Sequence, residues 1–183
     1  MATEIEMKAH CSDPAAVERL LEARARFLGG YRREDSYFHG PLVDGERVDF
    51  RLRRQADGWL CTWKNKTISR GLEVNREREF ELADGPAFLE LVERLGCRIF
   101  VRKNKQGKAW RLGRLTVELS NVEGLGWFVE VELLLPAEEA PRAELESAEA
   151  EIRGVLSGLG LAEADIEPRP YTAMLLESGL GAP

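Results

Sequence analysis

The stretch EIEMK, residues 4–8, places Glu4, Glu6 and Lys8 at alternate positions, with Ile5 and Met7 between them. Successive side chains of a strand point to opposite faces, so the segment reads as a strand with one charged and one apolar face. A single half-buried strand with a wet face satisfies this pattern. The same period of two recurs wherever a strand is expected. Arg51 and Arg53 alternate with Phe50 and Leu52, Lys64 shares a face with Lys66, and Glu77 with Glu79 and Glu81. Lys103 pairs with Lys105, and Glu130 and Glu132 alternate with Val129, Val131 and Leu133. Like charges side by side repel unless something of opposite sign intervenes.

Two arrangements relieve that repulsion. Acidic strands can lie beside basic ones in a surface ion-pair lattice. Alternatively, the sheet closes into a barrel with a polar lumen, its apolar outer faces covered by helices. The second uses the apolar strand residues and the amphipathic helices together. A lumen of that kind suits a polyphosphate, whose oxygens basic side chains take, with carboxylates holding a divalent cation against them.

The remaining elements fit either arrangement. Ser12 or Asp13 caps a first helix with Pro14 in its first turn, and the apolar stripe of Val17, Leu20, Leu21 and Phe27-Leu28 runs to Gly29-Gly30. Further helices are expected over 86–95, 142–159 and 172–176, and further strands over 32–38, 48–54, 59–64, 72–82, 98–103, 115–119 and 127–134. Short glycine turns such as Asp57-Gly58 are antiparallel signals. EIE (4–6), EFE (79–81) and EVE (130–132) each precede an expected helix ending in Leu-Gly, at 28–29, 95–96 and 159–160, which suggests that the opening strand belongs to a set.

Composition bounds the function. One domain over 1–183, with residues 178–183 as a flexible tail, is expected for this length. A net charge of −6 argues against a nucleic-acid partner. Cys11, Cys61 and Cys97 form neither a metal spacing nor a disulfide framework. No apolar run approaches the roughly 20 residues of a membrane span, so no membrane partner and a cytoplasmic location are expected.

The motifs also carry a resemblance. EIEMK resembles the ExExK signature of the CYTH superfamily, the triphosphate tunnel metalloenzymes. EDSYF (34–38), FRLRR (50–54), CTWKNK (61–66), REREFE (76–81), VRKNK (101–105), VEGLGWFVEVE (122–132) and RPYTAMLLESG (169–179) resemble further family motifs in the same order. The resemblance implies an α+β fold: an eight-stranded antiparallel closed barrel, or tunnel, with a charged lumen and flanking helices. It implies Mg2+ or Mn2+ held by Glu4, Glu6, Glu130 and Glu132. Lys8, Arg51, Arg53, Lys64, Lys66, Arg76, Lys103 and Lys105 would bind the triphosphate, with Glu77 and Glu79 beside them. Glu4, Glu6 and Lys8 would be catalytic.

Ser120 stands where the family usually has an aspartate, and Glu118, two residues earlier on the same face, is the expected substitute metal ligand. Lys105 replaces a common arginine, giving up a bidentate fork. The implied reaction is ATP to cyclic AMP and pyrophosphate, as in class IV adenylyl cyclases. Hydrolysis of inorganic triphosphate, thiamine triphosphate or a nucleoside triphosphate is the alternative, and a non-catalytic polyphosphate-binding module is the second. A homodimer is compatible with the family. Lumen charges are expected to hold ligand and not core, so Arg51→Ala and Lys8→Ala should leave thermal stability nearly unchanged. Tyr37 and Phe38 are read as packing residues, Tyr171 as pinning the last helix, and His10 and His39 as surface or loop residues.

Overall fold

Ile5, Met7 and Ala9, the apolar face of the opening strand, are fully buried, and they face outward from a barrel, under helices. The computed structural model describes residues 3–43, 45–69, 72–135 and 141–180, with the side chains at 43, 46, 64–69, 76 and 77 outside the description. The chain runs β1 (Thr3–His10), α1 (Pro14–Arg24), β2 (Arg26–Val43), β3 (Glu46–Gln55), β4 (Gly58–Ser69), β5 (Leu72–Leu82) and α2 (Gly85–Arg94). It continues with β6 (Arg98–Leu112), β7 (Leu115–Val122), β8 (Gly126–Leu135), α3 (Arg142–Gly158) and α4 (Tyr171–Glu177). All neighbouring strands pair antiparallel, and the sheet closes in the order β1-β5-β4-β3-β2-β6-β7-β8. The closed, eight-stranded tunnel expected from the sequence is the fold observed.

The outer faces form two apolar shells. Under α1 and α3, the outward residues of β1, β7 and β8 pack with Val17, Leu21, Ile152 and Leu156. Under α2, Phe38, Leu52 and Cys61 pack with Val92 and Cys97. Each such fully buried aliphatic side chain contributes roughly 1.5–3 kcal/mol. Removing the helices would therefore leave the barrel's outer wall wet and the fold unsupported. No helix among the described residues is long and apolar enough to cross a membrane.

Three local expectations are corrected. Asp13 caps α1 through its side chain, but the helix ends at Arg24, and Phe27-Leu28 belong to β2. Phe27 packs against Trp110 at 5.6 Å across the β2–β6 ladder, a contact with a residue 83 positions away that helical spacing cannot anticipate. Gly29, at φ +135°, sits at a register shift in that ladder and so serves a bulge, not a helix stop. The Leu-Gly pair at 28–29 consequently does not end a helix as 95–96 and 159–160 do. The backbone N–H groups of Ser178, Gly179 and Leu180 donate to Met174, Leu176 and Leu175 of α4. Residues 181–183 lie outside the described residues.

Candidate active site

The inward faces of the strands enclose a cavity of about 480 Å3. Strand order sorts its charges. Strands β5, β1, β8 and β7 are consecutive around the barrel and carry Glu73, Glu79, Glu4, Glu6, Glu130, Glu132 and Glu118 into the cavity wall. Strands β3, β2 and β6 are also consecutive and carry Arg51, Arg53, Arg33, Lys103 and Lys105. An acidic wall thus faces a basic one, with Lys8 standing in the acidic wall.

The register shows how closely the carboxylates are set. Glu6 lies directly opposite Glu73 on β5 and Glu132 on β8, a row of three acids across three strands. Glu130 lies opposite Glu118 on one side and Lys8 on the other. Directly opposed like charges destabilise a sheet unless a cation relieves them. Lys105 does so for the second row, its Nζ contacting both Glu118, at 2.7 Å, and Glu130. Lys8 Nζ donates to Glu73 Oε1 at 2.8 Å, and both residues are only 2% exposed. Asn75 donates to Glu4 Oε1 at 3.1 Å. Among the described residues no hydrogen bond or ion pair is found for Glu6.

The basic wall has an internal counter-ion. Asp35 is fully enclosed, accepts from Arg53 Nε at 2.7 Å and Nη2 at 3.0 Å, and lies 3.1 Å from Lys103 Nζ. Burial alone would raise the Asp35 carboxyl, but Lys103 and Arg53 outweigh it and hold it well below the usual carboxylate range. Glu118 is likewise held low against its burial by Lys105 and Arg33, and accepts from the Tyr31 hydroxyl at 2.6 Å. Burial pushes the Lys105 ammonium down to about 8, Glu118 opposing the shift and the like charges of Lys103 and Arg33 adding to it. Arg51 Nη2 donates to Thr62 at 2.9 Å and to Glu79 at 3.2 Å, tying β3 to β4 and β5.

A segment beyond the barrel completes the wall. Ile166 bridges to Ala9 and Glu167 N–H donates to the Lys8 carbonyl, so the chain entering α4 is fastened to β1. Glu167 also accepts from the Arg169 side chain at 2.6 and 2.9 Å, a bond that lowers its carboxyl to about 2. This anchoring sets Pro170, Tyr171 and Thr172 in the cavity lining. The Tyr171 ring packs edge-on against Phe128 at 5.0 Å, with the ammoniums of Lys103, Lys8 and Lys105 5.0, 5.4 and 6.0 Å from its centroid. Its hydroxyl is buried and has no hydrogen-bond partner among the described residues. Burial, with Glu6 and other negative groups nearby, raises its pKa well above the ordinary value, so it keeps its proton as a donor.

Of the residues singled out from the sequence, Glu4, Glu6, Lys8, Arg51, Arg53, Glu79, Lys103, Lys105, Glu118, Glu130 and Glu132 all line this one cavity. Lys64 and Lys66 lie in β4 and Arg76 and Glu77 in β5, in register as Lys64 with Glu77 and Lys66 with Asn75; their side chains are outside the described residues. Arg76 is in register with Thr3 of β1, not with a glutamate of that strand. Glu118 is in the lining, whereas Ser120 is fully buried beyond it, opposite Gly107 and Phe128. Position 120 is therefore set apart from the carboxylates, and Glu118 alone of the pair faces the cavity.

Sequence reasoning missed Glu73, Arg33, Asp35 and Tyr31 and the place of two tyrosines in the lining, although Tyr171 does also pin α4 by packing with Phe128 and Met174. Tyr37 and Tyr171 line the cavity, while Phe38 is core as expected. The signal was present: Tyr31, Arg33, Asp35 and Tyr37 alternate along β2, and Glu73 continues the alternation of Glu77 and Glu79 backwards along β5. His10 and His39 are strand residues, each beside a carboxylate, Glu167 and Asp49 respectively.

Comparison with known proteins agrees with this architecture. A protein of Methanocaldococcus jannaschii, named as a candidate adenylate cyclase, is 26% identical over 171 residues, covering 92% of this chain and 95% of the relative. The structure of the PH1012 protein of Pyrococcus horikoshii matches with a TM-score of 0.77 at 29% identity, over 93% of this chain and 98% of that one. A Hippeastrum protein, described as a candidate adenylyl cyclase with a dominant triphosphatase activity, shares the fold with a TM-score of 0.60 at 16% identity, over 98% and 96% of the chains. Residues 2–171 match the CYTH domain, and this chain belongs to that family.

Proposed function

We propose that the lumen binds a triphosphate with a divalent cation, and that the reaction is conversion of ATP to cyclic AMP and pyrophosphate. The observation that carries this reading is the acidic wall facing a basic wall across one cavity. Arg33, Arg51, Arg53, Lys103 and Lys105 supply the positive surface that phosphate oxygens need. Tyr171 adds a neutral donor among the lysines.

The chemistry of the acidic wall suits magnesium or manganese, both of which take hard carboxylate oxygens. Among the described residues no three acids converge on one point. The fit rests instead on the Glu73–Glu6–Glu132 row, three carboxylates set side by side across three strands, and on Glu6, for which no hydrogen bond or ion pair is found among the described residues. Glu6 and Glu132, with Glu4, Glu118 and Glu130, are the residues that would hold it. A bound cation supplies charge neutralisation of the phosphates and lowers the pKa of a coordinated hydroxyl.

Phosphoryl transfer asks mainly for positioning and charge stabilisation. In the cyclase reaction the ribose 3′-oxygen bonds to the α-phosphorus, and the bond from that phosphorus to the bridging oxygen breaks. Pyrophosphate leaves, and the hydroxyl proton is released toward the acidic wall. The basic wall stabilises the charge that gathers on the leaving pyrophosphate. Incubation with ATP, inorganic triphosphate and thiamine triphosphate, each with magnesium or manganese, tests the reading by product identification. Cyclic AMP and pyrophosphate from ATP are expected. Release of phosphate from a triphosphate without cyclic AMP would instead assign a triphosphatase, and no turnover with tight binding would assign a polyphosphate-binding module.

A further inference from the structure

The acidic wall is not uniform, and the difference lies at Glu118 and Glu130. Strands β7 and β8 set these two carboxylates directly opposite each other. Both are buried, and both line the main cavity. Lys105, on β6, reaches them from the basic wall: its Nζ lies 2.7 Å from Glu118 Oε2 and contacts Glu130 as well. That ammonium belongs to a side chain only 5% exposed, and it stands 5.7 Å and 6.0 Å from the ring centroids of Tyr31 and Tyr171.

Glu118 is fully engaged. Its Oε2 accepts from the Tyr31 hydroxyl at 2.6 Å, from Arg33 Nη1 at 3.1 Å and from Lys105, while Oε1 lies 2.9 Å from Arg33 Nη2. A carboxylate offers about four lone-pair positions, so a metal ion at Glu118 would have to displace a donor already in place. Charge gives the same answer. Lys105 and Arg33 oppose Glu118 and Glu130, so the formal charges of this group sum to zero. A divalent ion entering it would add charge with no carboxylate left to balance it, in a place largely closed to water, which is strongly unfavourable. Glu6 presents the opposite case. No hydrogen bond or ion pair is found for it among the described residues, and Glu73 and Glu132 lie in register on either side.

We propose that the Lys105 ammonium serves as the fixed cation of the Glu118–Glu130 pair, so that the lumen takes one divalent ion, beside Glu6, and no second. This rests on the reading of the acidic wall as a cation site and narrows it. Glu118 and Glu130 hold Lys105, and the ion is left to Glu6 with Glu132 and Glu4. Lysine suits the part because its ammonium is a compact point charge whose donors divide between two carboxylates.

Manganese alone, titrated into the full metal-free chain and followed by the electron paramagnetic resonance of the free ion, counts the sites. One ion per chain is expected for the unaltered protein. Two are expected for Lys105→Gln, which withdraws the counter-charge of the pair. Thermal unfolding with and without manganese gives a second readout, because an ion that binds only the folded chain raises its melting temperature. Lys105→Gln should melt below the unaltered protein without metal and gain more from manganese. Glu130→Gln and Glu6→Gln keep the proposal testable even where Lys105→Gln does not fold. Manganese affinity should change less than about threefold in Glu130→Gln and fall at least ~10-fold in Glu6→Gln, the scale on which groups that set a metal site act. Two ions in the unaltered protein, one ion in both it and Lys105→Gln, or equal losses of affinity in Glu130→Gln and Glu6→Gln would overturn the role of Lys105 while leaving the cation reading standing. No manganese bound by the unaltered chain would overturn the cation reading and this proposal together.

Discussion

The basic wall of the lumen carries its own buried counter-ion, whereas in the acidic wall one carboxylate, Glu6, has no hydrogen bond or ion pair among the described residues. On the basic side Asp35 is closed in by Arg53 and Lys103, and these groups hold one another in place before any ligand arrives. On the acidic side Lys8 neutralises Glu73 and Lys105 bridges Glu118 to Glu130, yet Glu6, between Glu73 and Glu132, has no cation paired with it among the described residues. The basic wall is a preformed cradle. The acidic wall, on the reading proposed above, is the side that receives a further positive charge. Structural and functional charges therefore coexist on the same strand faces, and burial with partner count separates them.

The largest effect should come from removing the counter-ion of the basic wall. Asp35→Asn leaves two buried cations facing each other, and a loss of about 3–5 kcal/mol in unfolding free energy is expected at neutral pH. The sign with pH follows from the depressed Asp35 carboxyl. Its stabilisation is fully present above the unfolded carboxyl's pKa of about 3.9 and is lost as pH falls through the lower folded value. The gap between the two proteins in urea unfolding should therefore narrow below about pH 4. A gap that stays constant into acid would show that Asp35 is not the stabilising ion described.

Lys8→Ala should come next, at roughly 3 kcal/mol, because it removes the ammonium that pairs with Glu73 where both are 2% exposed. This revises the expectation that lumen charges spare stability. Arg51→Ala should cost less than about 1.5 kcal/mol, since its partner Glu79 is 42% exposed and recovers water. Thermal unfolding of the two variants side by side checks the contrast, and equal losses would refute it.

Glu6→Gln sharpens the other half of the comparison. It removes a charge that repels its neighbours, so melting temperature should hold or rise slightly. Magnesium-dependent turnover should fall by at least ~100-fold. A variant that retained activity would move the cation site away from the Glu73–Glu6–Glu132 row.

The smallest effect is assigned to Tyr171→Phe. Deleting a buried hydroxyl that has no partner should raise stability by up to about 1 kcal/mol while weakening triphosphate binding, because the phenol is then lost as a donor. Opposite signs in calorimetric melting and in ligand titration are the signature. A loss in both would assign Tyr171 to packing alone.

The alternation of charged and apolar residues in EIEMK, FRLRR and FVEVE is legible one strand at a time, because the pleat repeats every second residue. That local rule was enough to place eleven expected site residues on the inner faces of a closed sheet, and Asp13 with Pro14 was enough to start α1. Where local rules compete with distant partners the sequence is silent. Phe27 fits the stripe of α1 as well as the β2 ladder, and only Trp110 settles the matter. Ser120 and Glu118 share a face of β7, and only the packing of Phe128 and Gly107 against that strand separates the buried position from the cavity.

The sequence by itself determined which side chains turn inward, since that depends on parity along a single strand. The tertiary structure decided what each of them meets. Strands distant in the chain become neighbours when the sheet closes, β1 beside β5 and β8, and this gathers acids on one wall and bases on the other. The same closure buries Lys8 against Glu73, encloses Asp35 between Arg53 and Lys103, and sets Tyr171 among the lysines. Charge depends on the residue, but its energy depends on its neighbours and on access to water.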